Sequence, residues 1–301
     1  VLVGDTQQLP ATVLSKKASD FGLGTSLFTR IQRCIESVTL KTVANADKGN
    51  NVSSLESTDI IFSLQTQYRM HPEICKWPNS YFYKNELIDD AKTHQFKTPL
   101  KPFSVLNLTY TQNDNCHRGQ IANELEAQFV ARLVKTLDGY IPMKYNTYGV
   151  ITPYAQQRVA LEKAMRTAGY SNVMVNTIDS YQGMERDVII ISNARTTGIG
   201  FLANYQRLNV ALTRPKKCLI LCGNFKNLEA VPAWRSLLSS ARERKLYHEL
   251  SPNCMDDMHR TVIPKIKASK ANTATTEATA TATTTTKEVT TVATTTKQSE
   301  Q

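Results

Sequence analysis

The feature that most constrains this chain is a series of short apolar runs alternating with stretches of helical periodicity. Ile60–Leu64, Ser104–Leu108, Tyr148–Thr152, Val173–Thr177, Val188–Ser192 and Cys218–Cys222 are each one strand long and apolar almost throughout. A strand with no polar face has both faces buried, the condition of a parallel sheet covered by helices on either side. Helices fit between them. Asn123–Leu137 carries Leu125, Phe129, Leu133 and Leu137 at spacing four, with Val130 and Val134 beside them, and Tyr154–Ala168, Tyr205–Arg214 and Pro232–Tyr247 follow suit. The expected fold class is α/β, a mainly parallel sheet with helices on both faces.

This pattern occupies residues 59–250, expected as one domain. Residues 1–40 are too few for a domain: Val1–Val3 reads as a strand entered partway, followed by a loop and a helix, Thr25–Glu36, with Leu27, Ile31 and Ile35 on one face. The natural N-terminus is accordingly expected elsewhere. Residues 41–58 are polar and rich in breakers, and are expected as a flexible connection. Residues 251–301 are expected as a tail, rich in Thr and Ala from about Ala268, with too little apolar surface to offset its ordering entropy. The six cysteines are scattered and read as reduced thiols, and Cys218 and Cys222 flank a strand rather than a metal. No structural metal is expected. No run reaches the roughly 18 apolar residues of a membrane span. A formal net charge of +10 favours a polyanionic partner without choosing RNA or DNA.

Four motifs follow one order, each at a strand–loop or loop–helix junction, where open parallel sheets bind ligands. In Gly4-Asp5-Thr6-Gln7-Gln8-Leu9-Pro10, the Gly and Asp permit a sharp turn, and the Gln8 amide can donate to a phosphate and accept from a water. An ordinary turn would use the same residues. In Gln67-Tyr68-Arg69-Met70-His71-Pro72, Pro72 opens a helix, Tyr68 can stack on a base, and Arg69, expected at the sheet's C-terminal edge, can neutralise a transferring phosphoryl group. A surface ion pair for Arg69 and a core place for Tyr68 are the bland alternative, and the commoner fate of such residues in isolation. His71 is expected to hydrogen-bond locally at the helix start and is assigned no chemistry.

The third motif, Thr177-Ile178-Asp179-Ser180-Tyr181-Gln182-Gly183-Met184-Glu185-Arg186-Asp187, is a polar loop framed by two buried strands. It holds Gln182, Gly183 and Glu185 at a ligand edge, with Glu185 able to accept from a ribose hydroxyl and Thr177 to donate to a nucleic-acid phosphate. In the fourth, Arg207-Leu208-Asn209-Val210-Ala211-Leu212-Thr213-Arg214, the two arginines are seven apart and share a helical face. Arg214, at the helix end, is the better placed to reach a phosphate, although on this motif alone a solvated basic stripe is the favoured reading.

The ordered set GDTQQLP, QYRMHP, TIDSYQGMERDVIII and NVALTR, with GVITPYAQQ at 149–157, resembles motifs III to VI of superfamily 1B helicases. The resemblance is to the branch that holds senataxin and the nonsense-mediated-decay helicase, and it spans residues 1 to about 225. It implies a RecA-like P-loop NTPase fold, with 59–250 as the second motor domain and 1–40 as the edge of the first. Gln8, Arg69 and Arg214 would contact the γ-phosphate of ATP. Asp5, Tyr68, Gln182, Gly183 and Glu185 would line the nucleotide site. Thr177, with Pro153 and Tyr154, would face single-stranded RNA or DNA. The implied activity is ATP- and Mg²⁺-dependent 5′ to 3′ translocation and unwinding of duplexes or RNA–DNA hybrids, and the implied address is nuclear, with a cytoplasmic one as the alternative. The sequence holds no G-x-x-x-x-G-K-[ST], nor an Asp-Glu pair before the first motif, so the phosphate cradle and metal ligand are expected upstream, in a partner lobe. The fragment alone is expected to be inactive. The alternative is a non-catalytic nucleic-acid-binding scaffold derived from such a lobe.

Overall fold

The computed structural model describes residues 1–46, 61–96, 98–111, 121–144 and 147–268. Its strands are β1 (Thr66–Gln67), β2 (Ile88–Asp89), β3 (Phe103–Asn107), β4 (Tyr148–Thr152), β5 (Met174–Thr177), β6 (Arg186–Ser192), β7 (Pro215–Gly223) and β8 (Tyr247–Glu249). Six of them form one sheet in the order β5-β4-β6-β7-β3-β8, every pair parallel. The helices are α1 (Lys16–Asp20), α2 (Leu27–Ala46), α3 (Pro72–Phe82), α4 (Ala91–His94), α5 (Glu124–Asp138), α6 (Ala155–Thr167), α7 (Tyr205–Leu212), α8 (Pro232–Glu243), α9 (Met258–Thr261) and α10 (Ile263–Ile266).

Strand alternation divides the core in two. Val188 and Ile190 of β6, with Cys218, Ile220 and Cys222 of β7, point to one face, under α5 and α6. Ile189, Ile191, Leu219 and Leu221 point to the other, under α3, α7 and α8. Period-two packing against helices on both sides is why these strands read as unbroken apolar runs. Helix α5 is capped by Asn123, whose side chain accepts from the Glu126 N–H at 3.0 Å.

Several expectations need correction. Residues 61–64 are exposed and irregular, and the strand there shrinks to the Thr66–Gln67 pairing with Ile88–Asp89. The apolar Ile61-Phe62-Ser63-Leu64 misled because no described neighbour covers it. Val1–Val3 is likewise exposed and forms no strand. Helix α2 runs to Ala46, into the segment expected as a flexible connection, while 47–58 lies outside the described residues.

Residues 251–268 are core rather than tail. Cys254, Met258, Val262, Ile263 and Ile266 are buried against the α5 face, and Leu100 bridges Lys267. The Thr/Ala-rich stretch from 269 lies outside the described residues. Helix α7 stops at Leu212 and Pro215 opens β7, so Arg214 does not continue the face of Arg207. Cys75, Cys218, Cys222 and Cys254 are buried free thiols and Cys34 is an exposed one; Cys116 lies outside the described residues.

Candidate functional site

The third motif carries the chain from one end of the sheet to the other. Thr177 closes β5, a short 3-10 turn covers Asp179–Tyr181, and Glu185 immediately precedes β6. Because β4 lies between β5 and β6 in the sheet, this strap must pass across β4. It does so at Gly149, where any Cβ would overlap Tyr181 Oη, so only a glycine admits the crossing. Gly183, at φ 83°, supplies the bend that returns the chain into β6.

The strap delivers Glu185 to the N-terminal ends of β6 and β7. This corrects the expected C-terminal edge for Arg69, which comes to the same place: Arg69 Nε donates to Glu185 Oε2 at 2.6 Å and Nη1 to the Thr213 carbonyl at 3.3 Å. The His71 N–H donates to the Lys216 carbonyl at 2.8 Å and anchors the motif to β7. The ring of His71 caps α3 by accepting from the Glu73 N–H, the local role expected of it. Lys216 Nζ lies 2.6 Å from the second Glu185 oxygen. Hydrogen bonds from Lys216 and Arg69 hold the Glu185 carboxyl below the usual carboxylate range.

Arg214 is almost wholly buried, donating from Nε to the Val210 carbonyl at 2.9 Å and from Nη2 to Thr213 Oγ1 at 2.9 Å. No carboxylate among the described residues lies within ion-pair distance of it. Burial, reinforced by the positive charge of Arg69, pushes its pKa down to about 10, while Tyr83, Glu185 and Asp5 act in the opposite direction. At neutral pH it is a desolvated cation with spare donors, an arrangement suited to an anion entering from outside.

The first motif sits on this cluster. Gln8 Nε2 donates to Asp5 Oδ2 at 2.8 Å, and Tyr83 Oη donates to the same oxygen at 2.8 Å. Asn209 Nδ2 donates to Tyr83 Oη at 2.8 Å and to the Gln7 carbonyl at 3.0 Å, and Gln206 Nε2 to the Thr6 carbonyl at 3.0 Å. Leu9 packs on the apolar face beneath. The structure thus brings Asp5, Gln8, Arg69, Glu185 and Arg214 together. Tyr68 stands beside them, largely exposed, and Gln182 and Gly183 are exposed on the strap.

Sequence reasoning missed Tyr83, Gln206, Asn209 and Lys216. Asn209 lies inside the fourth motif, where only the two arginines were given a role. Lys216 follows shortly after that motif, and nothing around Tyr83 signalled its role.

Thr177 and Pro153 lie at the opposite, C-terminal end of the sheet, on β5 and just past β4. Thr177 Oγ1 is 3.0 Å from Ser180 Oγ. Tyr154, expected to face a nucleic-acid strand, is buried instead, its ring packed with Ile121 and Ala194. Arg207 belongs to this end as well, 3.3 Å from Asp179. No three His, Cys, Asp or Glu side chains among the described residues form a group that could hold a metal ion, and no described helix is long and apolar enough to cross a membrane.

An AAA domain family model matches residues 23–226. Among curated proteins, the chain is 31% identical over 277 residues to a probable helicase of Dictyostelium discoideum, covering 88% of this chain and 26% of that protein. It is 31% identical over 255 residues to the human probable helicase senataxin, covering 81% and 9%, and 34% identical over 265 residues to the helicase sen1 of Schizosaccharomyces pombe, covering 82% and 14%. It therefore spans about a quarter or less of the length of these relatives. Among solved structures, the C-terminal domain of a possible DNA helicase from Lactobacillus matches 61% of this chain at 15% identity, with a TM-score of 0.39.

Proposed function

The chain belongs to the senataxin-like helicases of superfamily 1B, and from that premise we propose that it forms the second RecA-like lobe of an ATP-driven nucleic-acid motor. The observation that carries this reading is the convergence of Arg69 and Arg214 beside the Asp5–Gln8 turn. In it, residues 1–40 are the edge of the first lobe. Asn209 and Gln206 hold that edge on the helix that leads to Arg214.

The donor set fits a polyphosphate. Arg69, Arg214 and Lys216 outnumber Asp5 and Glu185, and Arg214 retains donors that nothing in the fold requires. Arg69 and Arg214 would neutralise charge on the γ-phosphate of ATP, a contribution of roughly 10³ to 10⁵ in rate where such arginines have been measured. Gln8 would orient the attacking water. Tyr68 would stack on the nucleoside, Glu185 would accept from its ribose while pinned by Arg69 and Lys216, and Gln182 and Gly183 would flank it. The same residues do not fit a metal, so Mg²⁺ would take its ligands, and ATP its phosphate cradle, from a partner lobe.

The Thr177–Pro153 end would receive single-stranded RNA or DNA, with translocation and unwinding of duplexes or RNA–DNA hybrids as the output. Kinship to senataxin and sen1 supports a nuclear address. The test is Arg214→Ala in a protein that also carries the phosphate-cradling lobe. ATP turnover is expected to fall by roughly 10³ or more with folding retained, and an unchanged rate rejects the assignment. The 301-residue chain alone is expected to hydrolyse no ATP, and nucleic-acid-stimulated turnover by it would refute the two-lobe reading.

A further inference from the structure

The loop leaving β6 is shaped around an arginine that the nucleotide-facing cluster does not use. Near its start, Ala194 holds a left-handed φ of 56°, which a residue with a Cβ keeps only where its surroundings impose it. Glu126 imposes it: the Ala194 N–H donates to Glu126 Oε1 at 2.9 Å, and Ser192 Oγ donates to the same oxygen at 2.6 Å. Two residues on, Asn227 Nδ2 donates to the Thr196 carbonyl.

Gly198 and Gly200, at φ 66° and 55°, then curl the backbone around the Arg195 guanidinium. A Cβ at Gly198 would stand 2.9 Å from Arg195 Nη2, and one at Gly200 would overlap Nη1. Arg195 Nε donates to the Thr197 carbonyl at 2.6 Å, which fixes the head group. No carboxylate among the described residues lies within ion-pair distance of Arg195.

A half-exposed cation that two glycines leave room for, that the Thr197 carbonyl holds and that neutralises nothing in the fold is arranged for an external anion. Its location selects which one. Arg195 lies just past the C-terminal end of β6, near Tyr154 Oη and on the same sheet edge as Thr177, with the whole length of β6 between it and Glu185. A phosphate held by Arg69 and Arg214 is therefore out of its reach.

We infer that Arg195 binds a backbone phosphate of single-stranded nucleic acid, with the Glu126-pinned turn at Ala194 placing the residue, the Thr197 carbonyl orienting its guanidinium and the two glycines leaving it room. A guanidinium offers a phosphate oxygen pair two parallel donors, which an ammonium cannot. This inference deepens the proposed function and rests on its reading of that sheet edge as the nucleic-acid track.

The experiment measures binding of short fluorescent oligothymidylate and oligouridylate to the 301-residue chain by anisotropy, across a series of salt concentrations. The wild type is compared with Arg195→Gln, Arg195→Lys and Thr177→Ala. Gln keeps much of the side chain's bulk and removes its charge. It is expected to weaken binding about three- to tenfold and to lower the slope of log Kd against log salt by about 0.7, the share of one single-strand phosphate. Lys is expected to weaken binding while keeping the slope, because it retains the charge without the planar fork. If Thr177→Ala weakens binding while Arg195→Gln matches wild type in affinity and slope, the inference is overturned and the edge reading stands. If neither variant departs from wild type, or the wild type shows no salt-dependent binding, the edge reading fails and the inference with it.

Discussion

Replacing Glu126 with Gln should change how the stability of this protein depends on pH, not only its level. Glu126 is wholly buried, and burial pushes its pKa from 4.5 up to about 7, against hydrogen bonds from Ser192 and the backbone of Ala194 and Asn193 that favour the charged form. The Ser192 and Ala194 bonds both fall on Oε1, while Oε2 has no partner and Asn193 Oδ1, in the same pocket, has none either. In the folded state the carboxyl therefore keeps its proton to a higher pH than in the unfolded chain. Between 4.5 and about 7 the native state holds more protons than the unfolded state, so stability falls as pH rises. The contribution is complete below 4.5, is lost on passing through about 7, and is flat beyond. Its full size is up to about 3 kcal/mol, at about 1.36 kcal/mol for each tenfold change in proton affinity. The amide introduced by Glu126→Gln would keep an Oε1 acceptor for Ser192 and Ala194 and would not titrate. Urea unfolding followed through the buried Trp77 and Trp234 should show wild type losing stability relative to Glu126→Gln across this interval. Stability curves for the two proteins that stay parallel through the interval would refute the argument.

Gly149→Ala should destabilise the fold by about 3 kcal/mol through overpacking against Tyr181, and Tyr181→Phe should recover part of the loss, since the Tyr181 hydroxyl is buried without a partner. Thermal melts that show the two substitutions to be additive would place the clash elsewhere. Val262→Asp puts a carboxylate into the apolar α5 face and should lower stability by several kcal/mol; a urea midpoint equal to wild type would detach residues 251–268 from the core. Glu185, with its folded-state pKa depressed, contributes stability that is present above 4.5 and lost as pH falls through the lower folded value. The stability gap between wild type and Glu185→Gln should therefore be constant near neutrality and close only in acid, and a gap that closes near neutral pH would contradict the Lys216 and Arg69 pairing.

The strands of the central sheet were legible because burial on both faces leaves an unbroken apolar signature, as in Val188–Ile191 and Leu219–Leu221. β8, Tyr247–Glu249, lies at the sheet edge and contains His248 and Glu249, so it left no such signal. The apolar run at 61–64 left a false one, because composition does not reveal whether a neighbour exists to cover it. The site's expected chemistry was legible as an order of motifs, yet the end of the sheet that Arg69 occupies was not. Arg214 is at the N-terminal end of β7 because it directly precedes Pro215, whereas Arg69 reaches the same end by pairing with Glu185 where the strap re-enters the sheet, a matter of three-dimensional path. Asn209 and Tyr83 act through a contact that spans 126 residues of sequence, which no local spacing encodes.

The path from Thr177 to Glu185 sets a limit on independent movement within this sheet. Its run of about eight steps can stretch to at most about 28 Å. Running the length of β4 and moving sideways by two strands takes roughly 19 Å of that, before the turn at Asp179–Tyr181 shortens the chain further. With Tyr181 wedged over Gly149, there is little reserve to absorb a shift. A tug at one end of the segment that exceeds this reserve must reappear at the other as displacement of Glu185 and the two cations it holds, as in a tether drawn taut.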